Sequence, residues 1–273
     1  MSNAWLNDAS TPGINNSTLV LIKPVGLSHW PRIKKTILET APIARTRLVM
    51  VTDELIKTHY AEHHGKEWFE QLTNYFVGKY VLAVEILADP QKIRDIIGPT
   101  KPTGASNSNT IRGLVESLTP SDTTVTEYTK GVDNLIHGAD SEDAARREIQ
   151  LWFGQELPER PQFLCLTNHN LDLEGAISPF INVKFDTSDS MVLASHITDF
   201  MEALPWNTQW MKAGVPLPKV LVGGLTPVSI IGVQYLSTLT GKKVEICWMN
   251  PETGDLQIVP LQSVVDRAAR HRS

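Results

Sequence analysis

The sequence predicts an α/β protein built in two parts, because short apolar runs alternate with segments of helical spacing along its 273 residues. The alternation pauses at residues 154–161, where two prolines and three charged residues are typical of a linker. We therefore expect a disordered N-terminal segment at residues 1–16, a first domain at 17–157 and a second, smaller domain at 158–273. Periodicity alone does not decide whether the strands run parallel or antiparallel.

The first domain contains three predicted strands and five predicted helices. Its strands are short apolar runs, whereas its helices carry apolar residues every three or four positions. Asp53 can cap a helix that runs through residue 63, and Ser141 opens another clear helix signal. The predicted strands are 18–22, 47–51 and 79–87, and the predicted helices are 32–40, 53–63, 67–76, 90–97 and 141–153.

The second domain is predicted to be Rossmann-like, because a buried-type strand, a glycine-containing turn, a helix and another strand follow one another. Trp206 and Trp210 lie in a loop, where we expect both to be buried. The domain lacks a GxGxxG motif, so dinucleotide binding is not predicted. Strands are expected at 163–167, 181–185 and 219–224, helices at 191–204 and 227–239, and a hairpin at 243–248 and 256–259.

Composition and charge exclude several functional classes. A net charge of −5 and a pI of about 5.9 leave no basic footprint for a nucleic-acid binder. No apolar run reaches membrane-spanning length, and no signal peptide is recognised. Cys165 and Cys247 are isolated in apolar runs, which indicates buried thiols in a reducing, cytoplasmic compartment. His63 and His64 beside Glu62 are expected to form a solvated helix face rather than a metal site.

One histidine stands apart, because it lies in Asn134–Ser141, which is predicted to be a tight polar turn before a helix. Neutral imidazole is a good nucleophile and phosphate acceptor near pH 7, provided that one ring nitrogen is free and an acceptor holds the other. A helix start nearby also offers backbone N–H groups to an anion. His137 is therefore the strongest candidate for a chemical role.

Three separated cations could bind a polyphosphate, whose charge is spread over many oxygens. Lys23 supplies a point charge, while Arg94 and Arg112 supply planar forks suited to phosphate. Thr100 lies in a turn-rich loop and could donate its hydroxyl to a phosphate oxygen, and Trp68 offers a flat face for a base. Each of these residues, taken alone, is more often an ordinary surface charge or core aromatic.

These residues belong to a series of motifs that resembles the nucleoside diphosphate kinase family. The segment around His137 is similar to the family's Asn-x-x-His-Gly-Ser-Asp-Ser signature, and residues 19–24 resemble its opening strand and Ile-Lys-Pro-Asp motif. Further blocks follow in family order, so that the resemblance is continuous from residue 17 to residue 153. These blocks are His59-Tyr60 and residues 65–69, 81–85, 94–102, 110–113 and 148–153.

The resemblance implies a ferredoxin-like α/β sandwich with an antiparallel sheet, and a ping-pong nucleoside diphosphate kinase. It implies that His137 is the nucleophile that becomes a transient phosphohistidine, and that Glu148 orients it. Nucleoside tri- and diphosphates would be its partners, and Mg²⁺ would enter with the nucleotide rather than occupy a protein metal site. A homo-oligomer, at least a dimer, is also implied. The implied nucleotide-binding residues are Lys23, Tyr60, Trp68, Arg94, Thr100, Arg112, Asn134 and Gly138.

The sequence departs from the family pattern at several places, among them slightly shortened segments after Gly26 and before Asp53. Val25 stands where the family has an aspartate, and Ala139 replaces the serine that bridges to the equivalent of Glu148. Residues 114–131 include an insertion of roughly a dozen residues, which we expect to form an exposed loop. The alternative to an active kinase is a nucleotide-binding regulatory or sensor protein with a weakened site. A third interpretation is an assembly module.

The second domain carries polar and glycine residues at the ends of two predicted strands, in Leu166–His169 and Gly223–Pro227. Such strand ends form the ligand crevice of an α/β sheet. These segments give the domain a faint similarity to small nucleotide-sensing Rossmann-like domains of prokaryotic defence systems. The alternative is that the glycines allow close helix packing and that His169 is a loop residue. We expect the domain to modulate the kinase, since it lacks a paired nucleophile and base.

Overall fold

The structure is a computed structural model that describes residues 17–100, 109–113, 134–169, 171 and 173–259. The segment 1–16, expected to be disordered, and the insertion at 114–131 lie outside these described residues. The chain separates into two compact units, residues 1–155 (unit 1) and residues 156–273 (unit 2). Both units hold a sheet and helices, which confirms the predicted α/β fold class.

Unit 1 is built on a four-stranded sheet in which the described strand pairings are antiparallel. Its strands are β1 (Thr18–Ile22), β2 (Ile43–Met50), β3 (Tyr80–Ile86) and β4 (Ile136–Gly138), in the order β2-β3-β1-β4. All five residues of β1 are buried, and its apolar sequence fits this central position because both of its faces are covered. The antiparallel sheet of a ferredoxin-like α/β sandwich is therefore confirmed.

The helices of unit 1 begin close to the predicted positions, and three of them start at a side-chain cap. Thr52, Asp89 and Ser141 each accept a hydrogen bond from a backbone N–H of the following turn. The cap of the second helix is therefore Thr52 rather than Asp53. That helix ends at His59 instead of residue 63, and a short 3-10 helix follows. The described helices are α1 (Trp30–Leu38), α2 (Asp53–His59), α3 (Phe69–Phe76), α4 (Pro90–Ile97) and α5 (Glu142–Phe153).

The core of unit 1 lies between the sheet and helices α2, α3 and α5. Trp152 of α5 and Phe76 of α3 are buried there with Leu19 and Leu21 of β1. Helix α5 contacts β1, and α4 contacts β4. This packing fixes two helices beside the edge strand that carries His137.

The segment that contains His137 forms a strand, so the predicted tight turn at this residue is wrong. Strand β4 pairs with β1 and places His137 opposite Leu21. The backbone bends earlier, at Leu135, which has a left-handed φ of 68°. Its carbonyl oxygen accepts the backbone N–H of Lys23 at 2.9 Å, and a Cβ on Gly26 would approach that oxygen to 2.3 Å. The left-handed residue and the close glycine therefore hold the start of β4 against Lys23.

Unit 2 is built on a five-stranded mixed sheet in the order β6-β5-β7-β8-β9. Strands β5 (Phe163–Leu166), β6 (Ala176–Ile177), β7 (Lys219–Val222) and β8 (Ile246–Met249) pair in parallel, and β9 (Leu256–Ile258) pairs antiparallel with β8. The expected hairpin is confirmed by the pairing of β8 with β9. The strand expected at 181–185 is wrong, because these residues form turns and irregular chain, and β6 lies beside β5 instead.

Helices lie between β6 and β7 and between β7 and β8, as in a Rossmann-like unit, whereas the described residues between β5 and β6 contain no helix. The helices are α6 (Ser190–Glu202), α7 (Asn207–Trp210) and α8 (Thr226–Thr240). Trp206 and Trp210 are both buried, as predicted, but Trp210 lies in helix α7 and Trp206 directly precedes it, so the expected loop is wrong. Nε1 of Trp206 donates to the carbonyl of Pro158 at 2.8 Å. Within the described residues, no helix is both long and apolar enough to cross a lipid bilayer.

Candidate active site

Strand β4 places His137 at the edge of the unit 1 sheet, where its ring meets helix α5. The side chain of His137 is 24% exposed, and its Nε2 atom lies 3.2 Å from Oε2 of Glu148. Glu148 lies on the buried face of α5. The described residues give Nδ1 of His137 no hydrogen-bond partner. One ring nitrogen is thus held by an acceptor while the other is available.

Burial governs the protonation of this pair. It lowers the pKa of His137 to about 3, and the positive charges of Lys23, Arg112 and Arg94 act in the same direction. Burial also raises the pKa of Glu148 to about 7. His137 is therefore a neutral imidazole near pH 7. When Glu148 is ionised, the proton of His137 lies on Nε2, which faces the carboxylate, and the lone pair lies on Nδ1.

A chain of hydrogen bonds joins Lys23 to the loop that follows α4. The ammonium of Lys23 is buried and donates to Oδ1 of Asn134 at 2.8 Å. Asn134 in turn donates through Nδ2 to the carbonyl of Thr100 at 3.1 Å. Lys23 and Thr100, both predicted phosphate ligands, are thus linked through the side-chain amide of Asn134. Asn134 thereby fixes the position of the buried Lys23 ammonium.

The guanidinium of Arg112 ties the same loop to β4. It donates to the carbonyls of Gly98 and Ile136 at 2.9 and 3.0 Å, and it lies 3.5 Å from Oγ1 of Thr100. Burial lowers its pKa to about 10, and the nearby charge of Arg94 adds to this effect. Arg112 is therefore anchored by two backbone carbonyls, and its charge acts on His137.

A cavity of about 320 Å³ lies between α4 and β4, and Gly138, which follows His137 in the chain, is among the residues that line it. Arg94 and Arg112 contribute its two positive charges, and Asp95 contributes one negative charge. Gly138 forms part of the wall, where a Cβ would lie 2.5 Å from Cδ1 of Ile97. A side chain at position 138 would therefore collide with α4, next to the candidate nucleophile.

Two aromatic residues extend the site on the side of α2. Tyr60 is buried, and its ring centroid lies 6.1 Å from that of His137. Trp68 is 42% exposed, with Nζ of Lys66 at 5.2 Å from its ring centroid. Among the described contacts, Trp68 reaches the site through His63, which stacks on Tyr60. Tyr60 therefore lies at the centre of the predicted site and Trp68 at its outer edge.

One further residue lies at the site without having been predicted there, His59. Its ring lies 4.8 Å from the ring of His137 and is nearly perpendicular to it, at 83°. Nε1 of Trp152 donates to Nδ1 of His59 at 3.2 Å, while its buried Nε2 has no partner within the described residues. The available signal was the position of His59 immediately before Tyr60 in a family-like motif.

Three of these side chains also have the chemistry of metal ligands. Ligand-type atoms of His59, His137 and Glu148 all lie within 4.8 Å of one another. Two imidazole nitrogens and one carboxylate suit a transition metal better than Mg²⁺, which prefers oxygen ligands. The cluster is therefore not a magnesium cage.

The sequence model of the nucleoside diphosphate kinase family matches residues 16–157, just over half of the 273 residues. The chain belongs to the nucleoside diphosphate kinase family. The nucleoside diphosphate kinase of Mycobacterium sp. (strain MCS) is 38% identical over 144 residues, which cover 50% of this chain and 95% of the relative. That of Nocardia farcinica is 36% identical over 157 residues, which cover 54% of this chain and 99% of the relative.

A crystal structure of the nucleoside diphosphate kinase from Encephalitozoon cuniculi shares 28% identity with the chain, with a TM-score of 0.43, and covers 52% of this chain and 92% of that one. The family match ends at residue 157, so nearly all of unit 2 lies outside the kinase region.

Two departures from the nucleoside diphosphate kinase pattern can be located. Ala139 is buried and packs against Ala144 and Ala145, so no hydroxyl is present there to bridge to Glu148. Val25 lies in the 3-10 helix Pro24–His29 and is 36% exposed. Neither Val25 nor Ala139 stands at a position that the described contacts place against the ring of His137.

Proposed function

We propose that this family member transfers the γ-phosphoryl group of a nucleoside triphosphate to a nucleoside diphosphate through a phosphohistidine at His137. The observation that carries the proposal is the 3.2 Å contact between Nε2 of His137 and Glu148, which leaves Nδ1 as the nucleophilic nitrogen. The cationic cavity beside Gly138 is the place for the phosphates.

The proposed reaction has two halves that mirror each other. The Nδ1 lone pair forms a bond to the γ-phosphorus while the bond from phosphorus to the β,γ-bridging oxygen breaks, and that electron pair leaves with the diphosphate. The ring keeps its Nε2 proton and gains positive charge, which the ionised carboxylate of Glu148 stabilises. A terminal oxygen of a second diphosphate then attacks phosphorus, and the N–P bond breaks to restore neutral His137. The order is ping-pong.

Three cations would counter the charge of the phosphates. Lys23, Arg94 and Arg112 each lower the pKa of His137, so their fields act on the reacting ring. Phosphoryl transfer depends mainly on positioning and charge stabilisation, which these residues can supply without forming a covalent bond. Thr100 would donate its hydroxyl to a phosphate oxygen, and Asn134 would keep Lys23 in place.

The residues present fit a Mg²⁺ ion that enters with the nucleotide. Asp95 is the single carboxylate among the described residues that line the cavity, and it already accepts a hydrogen bond from Gln91. A dedicated protein site needs several oxygen ligands, so phosphate oxygens would hold most of the ion's coordination sphere. The ion would neutralise phosphate charge.

The nucleoside would lie toward Tyr60 and Trp68. The exposed ring of Trp68 can stack on a base of any identity, which agrees with a kinase of broad base tolerance. Tyr60 is close enough to His137 to contact the ribose or the phosphates of a bound nucleotide.

Incubation with γ-labelled ATP tests the proposal. The wild-type chain is expected to become labelled, to lose the label in acid, and to pass it to an added nucleoside diphosphate. The variant His137→Ala is expected to bind nucleotide but not to become labelled, whereas His64→Ala, which removes an exposed histidine, should behave as wild type. Nucleotide binding by the wild type without labelling would instead support the regulatory alternative.

We also propose that the kinase is at least a dimer, as the family resemblance implies. Strand β2 lies at one edge of the unit 1 sheet, and Met50 at its end is exposed. An edge strand offers backbone groups for pairing with another chain. Light scattering at working concentration tests this, and a monomer would contradict it.

A further inference from the structure

The buried pair formed by His59 and Trp152 lies behind the candidate nucleophile and has no role in the reaction described above. Nε1 of Trp152 donates to Nδ1 of His59 at 3.2 Å, and both side chains are almost completely buried. An indole N–H can only donate a hydrogen bond. Nδ1 of His59 must therefore act as the acceptor, and it carries no proton.

The second ring nitrogen of His59 is consequently the protonated one. Burial lowers the pKa of His59 to about 3, so the ring is neutral near pH 7 and holds a single proton. Since Nδ1 has none, this proton lies on Nε2. That Nε2–H group is buried and has no hydrogen-bond partner within the described residues. A buried donor without a partner is costly, and such groups often have a functional explanation.

The nearby polar groups belong to the nucleophile and its acceptor. The ring of His59 lies 4.8 Å from the ring of His137 at 83°, and ligand-type atoms of His59, His137 and Glu148 lie within 4.8 Å of one another. The charges of His59 and Glu148 also influence each other's pKa. A small side-chain movement would bring the His59 donor onto the carboxylate.

We propose that Trp152 and His59 are positioning residues for the nucleophile: Trp152 fixes the tautomer of His59, and Nε2–H of His59 stabilises the carboxylate of Glu148 as the acceptor for His137. This inference rests on the proposed function and adds two residues that determine the ionisation and orientation of Glu148 at the same site. Within the described residues, no hydrogen bond joins His59 to His137. His59 acts by keeping Glu148 ionised and oriented, so that Nδ1 of His137 keeps its lone pair.

A transition-metal site is the competing explanation for the same cluster. A metal bound at Nε2 of His59 requires the lone pair there, which moves the ring proton to Nδ1. That proton would then point at the indole N–H of Trp152 across 3.2 Å, and two donors would oppose each other. The tryptophan therefore favours the positioning role over metal binding.

The acid response of the kinase follows from the groups that surround Glu148. A hydrogen-bond donor beside an ionised carboxylate lowers the pKa of that carboxylate. Loss of His59 is therefore expected to raise the pKa of Glu148 further. The charged and titratable groups that act on Glu148 are His59 of α2, Glu62 of the 3-10 helix, His137 of β4, Asp140 ahead of α5 and Arg147 of α5. Four of these five groups stay in place when His59 is replaced.

The experiment uses the full chain and four variants. We expect His59→Phe to lower the rate of His137 labelling by γ-labelled ATP about tenfold, with KM for nucleotide changed less than about twofold. Its acid limb should move to higher pH. His59→Gln, which can accept from Trp152 and donate to Glu148, should recover most of the rate. Trp152→Phe should show a smaller loss in the same direction, whereas Trp30→Phe makes the same change in another buried helix residue and should not.

The outcomes separate this inference from the proposed function. A wild-type chain that never becomes labelled would overturn the proposed function itself. A labelled wild type with a His59→Phe variant of unchanged rate and acid limb would overturn the positioning role alone. Stoichiometric Zn²⁺ binding by the wild type that is lost in His59→Phe would also overturn it, in favour of a metal site.

A direct measurement remains decisive even if His59→Phe does not fold. Ring ¹⁵N spectra of the wild type, with the signals assigned to residues, should show His59 as a neutral ring with its proton on Nε2 at every pH at which the protein is folded, and His137 as a second such ring. Trp152→Phe should allow the other tautomer. A wild-type His59 with its proton on Nδ1 would overturn the proposal.

Discussion

The two units bury different kinds of side chain. Around β4 the buried residues of unit 1 include the ionisable groups of Lys23, His59 and Glu148. The described buried residues of unit 2 also include ionisable groups, His196, Cys165 and Cys247, but no buried lysine or carboxylate is among them. Burial of an ionisable group costs free energy unless a partner or a function compensates. The buried lysine and carboxylate therefore favour unit 1 as the place of the proposed chemistry.

Cavity size alone would have led to the opposite choice. Unit 2 has a cavity of about 470 Å³ beside β7 and α8, larger than the cavity of about 320 Å³ in unit 1. Its described lining is uncharged and mainly apolar, with residues such as Val222, Ile230 and Ile246. Two arginines line the smaller cavity. Perturbed ionisable groups mark a reactive site more reliably than volume does.

The glycine-rich strand end in unit 2 has a packing role that the structure makes visible. Gly224 has a left-handed φ of 66°, and a Cβ there would lie 3.2 Å from Oγ1 of Thr167 and 3.4 Å from Cδ2 of His169. The ends of β5 and β7 thus approach each other closely at this glycine. A ligand crevice at the same place stays a prediction.

Among these predictions, replacement of Lys23, a buried charge of unit 1, should have the largest effect on the rate of phosphoryl transfer. Lys23→Met keeps an apolar chain in the buried position but removes the charge, and we expect transfer to fall by about 10²- to 10³-fold. Lys35→Met, an exposed position on α1, is the matched control. Steady-state transfer assays measure both, and circular dichroism checks that the fold is retained. Equal activity of the two variants would contradict an electrostatic role for Lys23.

Replacement of Glu148 should have an intermediate effect and change the pH profile. Burial raises the pKa of Glu148 to about 7, so wild-type transfer should decline as pH falls through this value and the carboxylate is lost. Glu148→Gln should be about ten- to a hundredfold slower and should lack this acid limb, because an amide does not titrate. Glu142→Gln, on the exposed first turn of α5, is the control. A variant that keeps the wild-type limb would assign the titration to another group.

The same shift predicts an opposite trend for stability. Between its ordinary value of 4.5 and about 7, Glu148 binds more protons in the folded state than in the unfolded state. Its contribution to stability is therefore present at low pH and is lost as pH rises through 7. Thermal unfolding of Glu148→Gln should show a smaller loss across this window than the wild type. An identical pH dependence would mean that Glu148 is not buried as described.

The elements that the sequence predicted well are those set by local pattern. The apolar run of β1 and the starts of α4 and α5 depend on neighbouring residues alone, and these elements were found close to the expected positions. Strand β4 was expected to be a turn because Asn134, Gly138 and Asp140 are turn-forming residues. Its three residues become a strand only through pairing with β1, which lies far away in the sequence.

The same limit explains what was missed in the site. His137 and the three cations could be found because each matched a motif, whereas the importance of His59 depends on Trp152, which lies 93 residues later. In unit 2, residues 181–185 have the composition of a strand, but the strand that pairs with β5 is Ala176–Ile177. Neither pairing leaves a signal within one stretch of sequence.

Removal of unit 2 should have the smallest effect on phosphoryl transfer, and it tests the comparison most directly. A chain that ends after Pro158 should be soluble and transfer phosphate within about threefold of the full chain. The candidate site lies between Lys23 and Glu148, and Arg47 donates to the carbonyls of Phe153 and Gln155, which anchors the end of unit 1 within that unit. Transfer and sizing assays measure the outcome, with His137→Ala in the truncated chain as the inactive control. An insoluble product would mean that the two units share a core. A soluble but inert product would mean that unit 2 contributes to the chemistry, since every ionisable group of the candidate site would still be present.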